Sequence, residues 1–264
     1  MSNDTEVLLE LALRLGRRGA QVAGEALADG GGEATTKSSA TDLVTVTDEK
    51  IESLIVHGLR AERPDDAILG EEGTSDDGTS GVRWVIDPID GTTNFVYGLP
   101  GFAISIAAEV DGDSVVGVVI DPVRQEEFAA VKDQGATLNG DPIHCSGAAD
   151  LATALIATGF SYQAESRRAQ AEVLTTVLPR IRDIRRLGAA ATDLCAVAVG
   201  RVDGYWERGL NRWDAAAGAL IAGEAGAIVS GEVGKDPGAV LVAAAPGIHA
   251  ALDALLDAAG AGDT

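Results

Sequence analysis

Four segments of the chain place carboxylates where they could gather around metal ions. The first is Asp87-Pro88-Ile89-Asp90-Gly91-Thr92-Thr93-Asn94-Phe95. It follows the apolar run Trp84-Val85-Ile86, so Asp87 falls at the rim of a sheet, and Pro88 is expected to turn the chain there. Asp90 is near enough for both carboxylates to reach one metal cluster, and Gly91 lets the backbone approach a ligand. Thr92-Thr93 can open a helix whose free N–H groups face a phosphate. An EF-hand loop would need acids at alternate positions before its glycine, which this segment does not supply. Nor is it the Asp-x-Asp pattern of aspartyl-phosphate phosphatases. The other segments are Glu71-Glu72, after the apolar Ala67-Ile68-Leu69; Asp48, in the first turn of an expected helix; and Trp213-Asp214-Ala215-Ala216-Ala217-Gly218. Taken singly, each has a structural explanation, as a solvated turn, a helix-dipole partner or an N-cap.

Taken together, these segments resemble the inositol monophosphatase family of metal-dependent, lithium-sensitive phosphatases. The similarity runs from Lys37-Ser38-Ser39 through Ala225-Gly226 and includes Arg185-Arg186-Leu187-Gly188-Ala189-Ala190-Ala191-Thr192-Asp193-Leu194 and Gly200-Arg201-Val202-Asp203-Gly204. The resemblance implies an α+β protein with the layered αβαβα sugar-phosphatase fold. It also implies two to three Mg²⁺ ions. Glu71, Asp87 and the Ile89 carbonyl would hold the first; Asp87, Asp90 and Asp214 the second; Glu71 and waters a weaker third. Thr92 would orient and deprotonate the attacking water with Asp48 behind it, and Glu71 would also act in catalysis. Asp90, Gly91, Thr92 and Thr93 would meet the phosphate, with Ala190 and Glu207 toward the alcohol and Glu72 and Lys37 behind the metal ligands. The reaction implied is hydrolysis by metal-activated water without a phosphoenzyme.

Substrate choice stays open at this point. Thr93-Asn94 favours a polyol phosphate such as inositol 1-phosphate over nucleotide 3′-phosphates or histidinol phosphate, whose hydrolases tend to carry Lys or Arg there. Ala189 stands where many relatives place a hydroxyl residue. Fructose-bisphosphatases share the metal ligands, and a non-catalytic binding protein that keeps the fold is a further alternative. By resemblance, the protein is expected to form a homodimer.

Composition narrows the partners. Of 264 residues, 41 are acidic and 20 basic, a net charge of −21, which disfavours nucleic acid and anionic membranes. A small anionic ester then needs bound cations or a helix N-terminus. No apolar run reaches the roughly 18 residues of a membrane span. Met1-Ser2-Asn3-Asp4 does not look like an export signal, and Cys145 and Cys195 have no zinc or CxxC spacing; a reduced, cytoplasmic protein is expected.

The elements that must position these residues follow from periodicity. Helices are expected over 6–28 and from an N-cap at Thr47 to Arg60, then strands at 83–87, 102–110, 114–120 and 127–131, with a hairpin at Asp111-Gly112-Asp113. Beyond Gly140-Asp141-Pro142, helices at 165–182, 189–199, 214–225 and 248–259 alternate with strands at 183–187, 202–207, 227–229 and 239–244. Two closely packed halves are expected: 1–145, with an antiparallel sheet and most metal ligands, and 146–264, supplying Asp214 and substrate contacts.

Overall fold

Leu8, Leu11, Ala12, Leu15 and Ala23 recur at helical spacing, and all are buried. They form the inward stripe of α1 (Ser2–Ala28), which begins earlier than the apolar pattern requires. The computed structural model describes residues 2–29, 34–36, 43–231, 233–234 and 238–262. Lys37 therefore lies outside the described residues. The next helix, α2 (Val46–Glu62), is capped by Thr45 and not by Thr47. Thr45 has an acid three residues on, Asp48, and the two form a reciprocal capping box that Thr47 has no partner to make.

Both helices lie against a sheet of eight strands, in the order Asp141–Pro142, Ala136–Leu138, Glu126–Val131, Asp113–Asp121, Ala103–Val110, Val82–Asp90, Ala67–Gly70 and Ser75–Asp76. Its pairings are antiparallel except that of Ala67–Gly70 with Val82–Asp90. The expected hairpin forms, with φ of 54° at Asp111 and 88° at Gly112. Pro88 does not end its strand. The strand continues to Asp90, and its pairing with Ala103–Val110 slips between Asp87 and Asp90. Proline cannot donate to the ladder, and the irregularity absorbs it without turning the chain away.

A second sheet of five strands has the order Asp183–Arg185, Leu155–Thr158, Gly204–Arg208, Val240–Ala244 and Ile228–Ser230. The other helices among the described residues are α3 (Thr92–Val96), α4 (Ala164–Val177), α5 (Ala190–Ala198), α6 (Arg212–Glu224) and α7 (His249–Ala258). The helix expected over 165–182 stops at Val177, and a 3₁₀ turn takes over at Leu178–Arg180, where Pro179 removes a donor.

Four apolar clusters glue five layers. Residues of α1 and α2 pack on one face of the eight-stranded sheet. Its other face meets Ala191 and Cys195 of α5 and Ala216, Ala217 and Ile221 of α6. Opposite sides of the same two helices, with Ala190, Leu194, Ala215 and Ala222, cover the five-stranded sheet. Leu252, Leu255 and Leu256 of α7, with Val173 and Val177 of α4, close its outer face. The order is αβαβα. Small side chains in the middle layer let both sheets approach the same pair of helices. Among the described residues, no helix is long and apolar enough to cross a membrane.

Candidate active site

Where the middle layer meets the first sheet, the chain opens a cavity of about 570 Å³. Strand ends and helix starts converge there. Val82–Asp90 delivers Asp87 and Asp90, which are 1% and 8% exposed, and Ala67–Gly70 delivers Glu71 just beyond its end. Gly91 then caps α3 with φ 89°; a Cβ there would stand 2.9 Å from the Ala189 Cβ, so the position needs glycine twice over. Asp214 enters from α6. It does not open that helix: Asn211 is the cap, and Asp214, three residues on, accepts the Asn211 N–H at 2.6 Å.

These four carboxylates form one wall of the cavity and repel each other. Burial pushes Asp87 well above the ordinary carboxylate range, and Glu71, Asp90 and Asp214 push it further. Asp90 moves the same way through burial and Asp214, although the Ala191 N–H donates to its Oδ2 at 2.6 Å. Asp214 is pushed up to about 8, by burial first and Glu71 second, against the opposing Asn211 hydrogen bond. Asp87 Oδ1 is buried without a hydrogen-bond partner. Among the described residues, no three His, Cys, Asp or Glu side chains are gathered into a ready-made metal-binding group. The wall is thus an open array of hard oxygen donors. Its crowding and its orphaned oxygen call for cations, and Mg²⁺, which keeps several waters, fits such an array.

Behind the wall lies Asp48, fully buried on α2. Its Oδ2 accepts from the Thr45 N–H at 2.9 Å and from the Thr45 hydroxyl. The Thr92 hydroxyl lies 3.1 Å from Asp48 Oδ1 and 3.0 Å from the Ile89 carbonyl oxygen, so its single proton serves one of them at a time. Burial raises Asp48 against its hydrogen bonds from Thr45 and Thr92.

The opposite wall comes from the five-stranded sheet and α5. Tyr205 donates to Glu207 Oε2 at 2.7 Å, and burial raises Glu207 while Tyr205 and Arg186 hold it down. The Glu207 carboxylate lies on the backbone of Gly159, where a Cβ would stand 1.8 Å from Oε2. Asn94 ties the two walls together, its Nδ2 lying 2.7 Å from the carbonyl oxygens of both Gly101 and Leu187.

The chain matches the Inositol monophosphatase family over residues 4–261. It belongs to that family. It is 47% identical over 231 residues to the Inositol-1-monophosphatase SuhB of Mycobacterium tuberculosis, covering 83% of this chain and 80% of that protein. It is 42% identical over 220 residues to the Nus factor SuhB of Pasteurella multocida, covering 83% and 82%. The solved structure of Mycobacterium tuberculosis SuhB superposes with a TM-score of 0.85 at 43% identity, over 97% of this chain and 98% of that one. The layered fold is therefore that of the inositol monophosphatases, and the protein is a phosphatase of their superfamily.

Within this family member, the cavity gathers Glu71, Asp87, Ile89, Asp90 and Asp214 on one side. Gly91, Thr92, Ala190 and Glu207 also line it. Thr93 lies just past the lining residues. Glu72 borders a separate hollow with Glu49, Glu52 and His57, where its N–H donates to Glu52 Oε2 at 2.8 Å. Reasoning from sequence missed Arg186 and Asp193, both of which line the cavity. Their signal lay inside the Arg185–Leu194 segment, in two charged residues beside a glycine turn.

Proposed function

We propose that the protein hydrolyses the phosphate monoester of a small polyol, with inositol 1-phosphate foremost, using Mg²⁺ held by Glu71, Asp87, the Ile89 carbonyl, Asp90 and Asp214. The observation that carries this reading is the orphaned, buried Asp87 Oδ1 among three other carboxylates. Bound Mg²⁺ supplies a water of lowered pKa and neutralises the phosphate charge. This chain's own groups do the rest. Thr92 orients the attacking water: as its hydroxyl donates to Asp48 Oδ1, its lone pairs accept the water's proton. Burial makes Asp48 more basic, so the proton relayed through Thr92 has a destination. The Gly91 and Thr92 N–H groups bind phosphate oxygens, and Glu207 accepts a hydroxyl of the leaving alcohol. Water adds to phosphorus, and the alcohol departs with a proton from solvent.

Exposed Tyr97 and Leu99 beside Pro100 support the homodimer, and the free thiols Cys145 and Cys195 support a reducing, cytoplasmic setting. Some relatives carry the name Nus factor, and for this chain a net charge of −21 speaks against direct contact with nucleic acid. The test is phosphate release from inositol 1-phosphate, fructose 1,6-bisphosphate, histidinol phosphate and adenosine 3′,5′-bisphosphate, each with Mg²⁺ and with EDTA. Inositol 1-phosphate should give the highest kcat/KM, and EDTA should abolish turnover. Full turnover in chelated protein overturns the metal reading. Binding without turnover makes the chain a binding protein that kept the fold.

A further inference from the structure

Asp193 sits on the first turn of α5, 1% exposed, and lines the cavity. It accepts a hydrogen bond from the Gly188 N–H, which leaves its Oδ1 buried with no partner. A buried carboxylate oxygen without a donor is unfavourable, so a second role is needed to account for it. The surroundings suggest one. Arg186 folds back over the same glycine loop, where a Cβ at Gly188 would stand 2.8 Å from its Nη1 and 2.7 Å from Asn94 Nδ2. Its guanidinium acts electrostatically on both Asp193 and Glu207. Tyr205 occupies one oxygen of Glu207. This corner adjoins the four-carboxylate wall, since Ala191 on the same turn of α5 donates to Asp90, but its three side chains are not among the proposed metal ligands.

We propose that Asp193 and Arg186 join Glu207 in a subsite for adjacent hydroxyls of the leaving alcohol, with the two carboxylates as acceptors and the guanidinium as donor. The inference rests on the polyol-phosphatase reading and deepens it. Two carboxylates facing the alcohol select neutral hydroxyl groups and repel a second phosphate. The substrate class is thus a polyol monophosphate with free vicinal hydroxyls, and sugar bisphosphates are disfavoured. Ala189 contributes no hydroxyl of its own, and Asp193, four residues on, supplies the missing polar contact from the helix.

Asp193→Asn separates the proposed contact from the structural bond. Its carbonyl can still accept the Gly188 N–H, while the orphaned acceptor becomes a donor and one negative charge is lost. The experiment compares wild type, Asp193→Asn and Arg186→Gln on inositol 1-phosphate, fructose 1,6-bisphosphate and p-nitrophenyl phosphate in saturating Mg²⁺. Melting temperatures are measured alongside. Asp193→Asn should lose about 10- to 100-fold in kcat/KM on inositol 1-phosphate, with p-nitrophenyl phosphate nearly unchanged. Its ratio of bisphosphate to inositol phosphate activity should rise, a change that a merely structural role would not produce. Arg186→Gln should also spare p-nitrophenyl phosphate while weakening inositol 1-phosphate, mainly through KM. Equal losses on all three esters, or none, overturn the subsite. A wild type inactive on every ester in Mg²⁺ overturns the phosphatase reading beneath it, and the inference falls with it.

Discussion

Helices α2 and α6 begin alike and end up with different chemistry. Each has a polar cap, Thr45 or Asn211, and an aspartate three residues on that accepts the cap's own N–H, at 2.9 Å for Asp48 and 2.6 Å for Asp214. Asp48 is turned inward. Thr45 holds one of its oxygens and Thr92 meets the other. Asp214 lines the cavity, and Glu71 is the nearby charge that most raises its pKa. One local motif thus yields both a proposed proton acceptor reached through Thr92 and a proposed metal ligand. What separates them is which neighbour the tertiary fold brings to the free side of the carboxylate.

The largest expected effect tests that division of labour. Asn at either position keeps the oxygen that caps the helix. Asp214→Asn should cut kcat/KM by about 10³-fold or more, because the metal it is proposed to hold would contribute several kcal/mol to charge stabilisation. It should also weaken Mg²⁺ binding measured by calorimetry. Asp48→Asn should cost about 10- to 100-fold, the usual range for a residue that orients a reacting group from behind, and leave Mg²⁺ affinity alone. If both variants lose Mg²⁺ affinity equally, the two aspartates are not distinguished in this way.

The pH dependence of the metal-free protein sharpens the comparison. An unfolded chain releases the Asp214 proton near 3.8, whereas the folded chain keeps it up to about 8. Between those values the folded state binds more protons, so stability falls as pH rises through the window. Melting temperature in EDTA should therefore decline across it, and Asp214→Asn should flatten the decline. Asp87 and Asp90 shift in the same direction, so part of the slope remains. Mg²⁺ binding within the window should release protons, seen as a buffer-dependent heat. A profile that Asp214→Asn leaves unchanged would put the proton elsewhere.

The smallest effect concerns the caps alone. Thr45→Ala and Asn211→Ala should each cost about 1 kcal/mol in urea unfolding. Thr45→Ala should in addition slow turnover modestly, because Asp48 loses a hydroxyl donor. Matching kinetics for the two variants would remove that link between the α2 cap and Thr92.

Much of this was legible in the sequence, for reasons that can be named. Apolar periodicity is local, and it predicted α1 and the alternation beyond residue 146, while the turn residues Asp111-Gly112 predicted the hairpin. Thr45-x-x-Asp48 was equally local and still went unread, because Thr47 competes as a cap and the deciding bond is the return contact from Asp48. Pro88 misled because a ladder can slip by a residue and continue, an outcome set by the neighbouring Ala103–Val110 strand. Asp214 could be singled out, but its place inside the first turn depends on Asn211. Arg186 and Asp193 were invisible as a pair. Their relation exists only where the Gly188 loop folds back near Glu207, which lies two strands over in the same five-stranded sheet.

The fit of Glu207 against Gly159 sets an order on how this phosphatase can change. With only 1.8 Å between the Glu207 carboxylate and a side chain's first atom, any residue but glycine at 159 must push that carboxylate aside and away from Tyr205. Random variation there should disturb the choice of alcohol before it disturbs hydrolysis of a plain ester. Once residue 207 shortens, the backbone at 159 is uncovered, and side chains there meet less resistance. A lineage acquiring a new alcohol specificity would pass most easily through 207 first and 159 second.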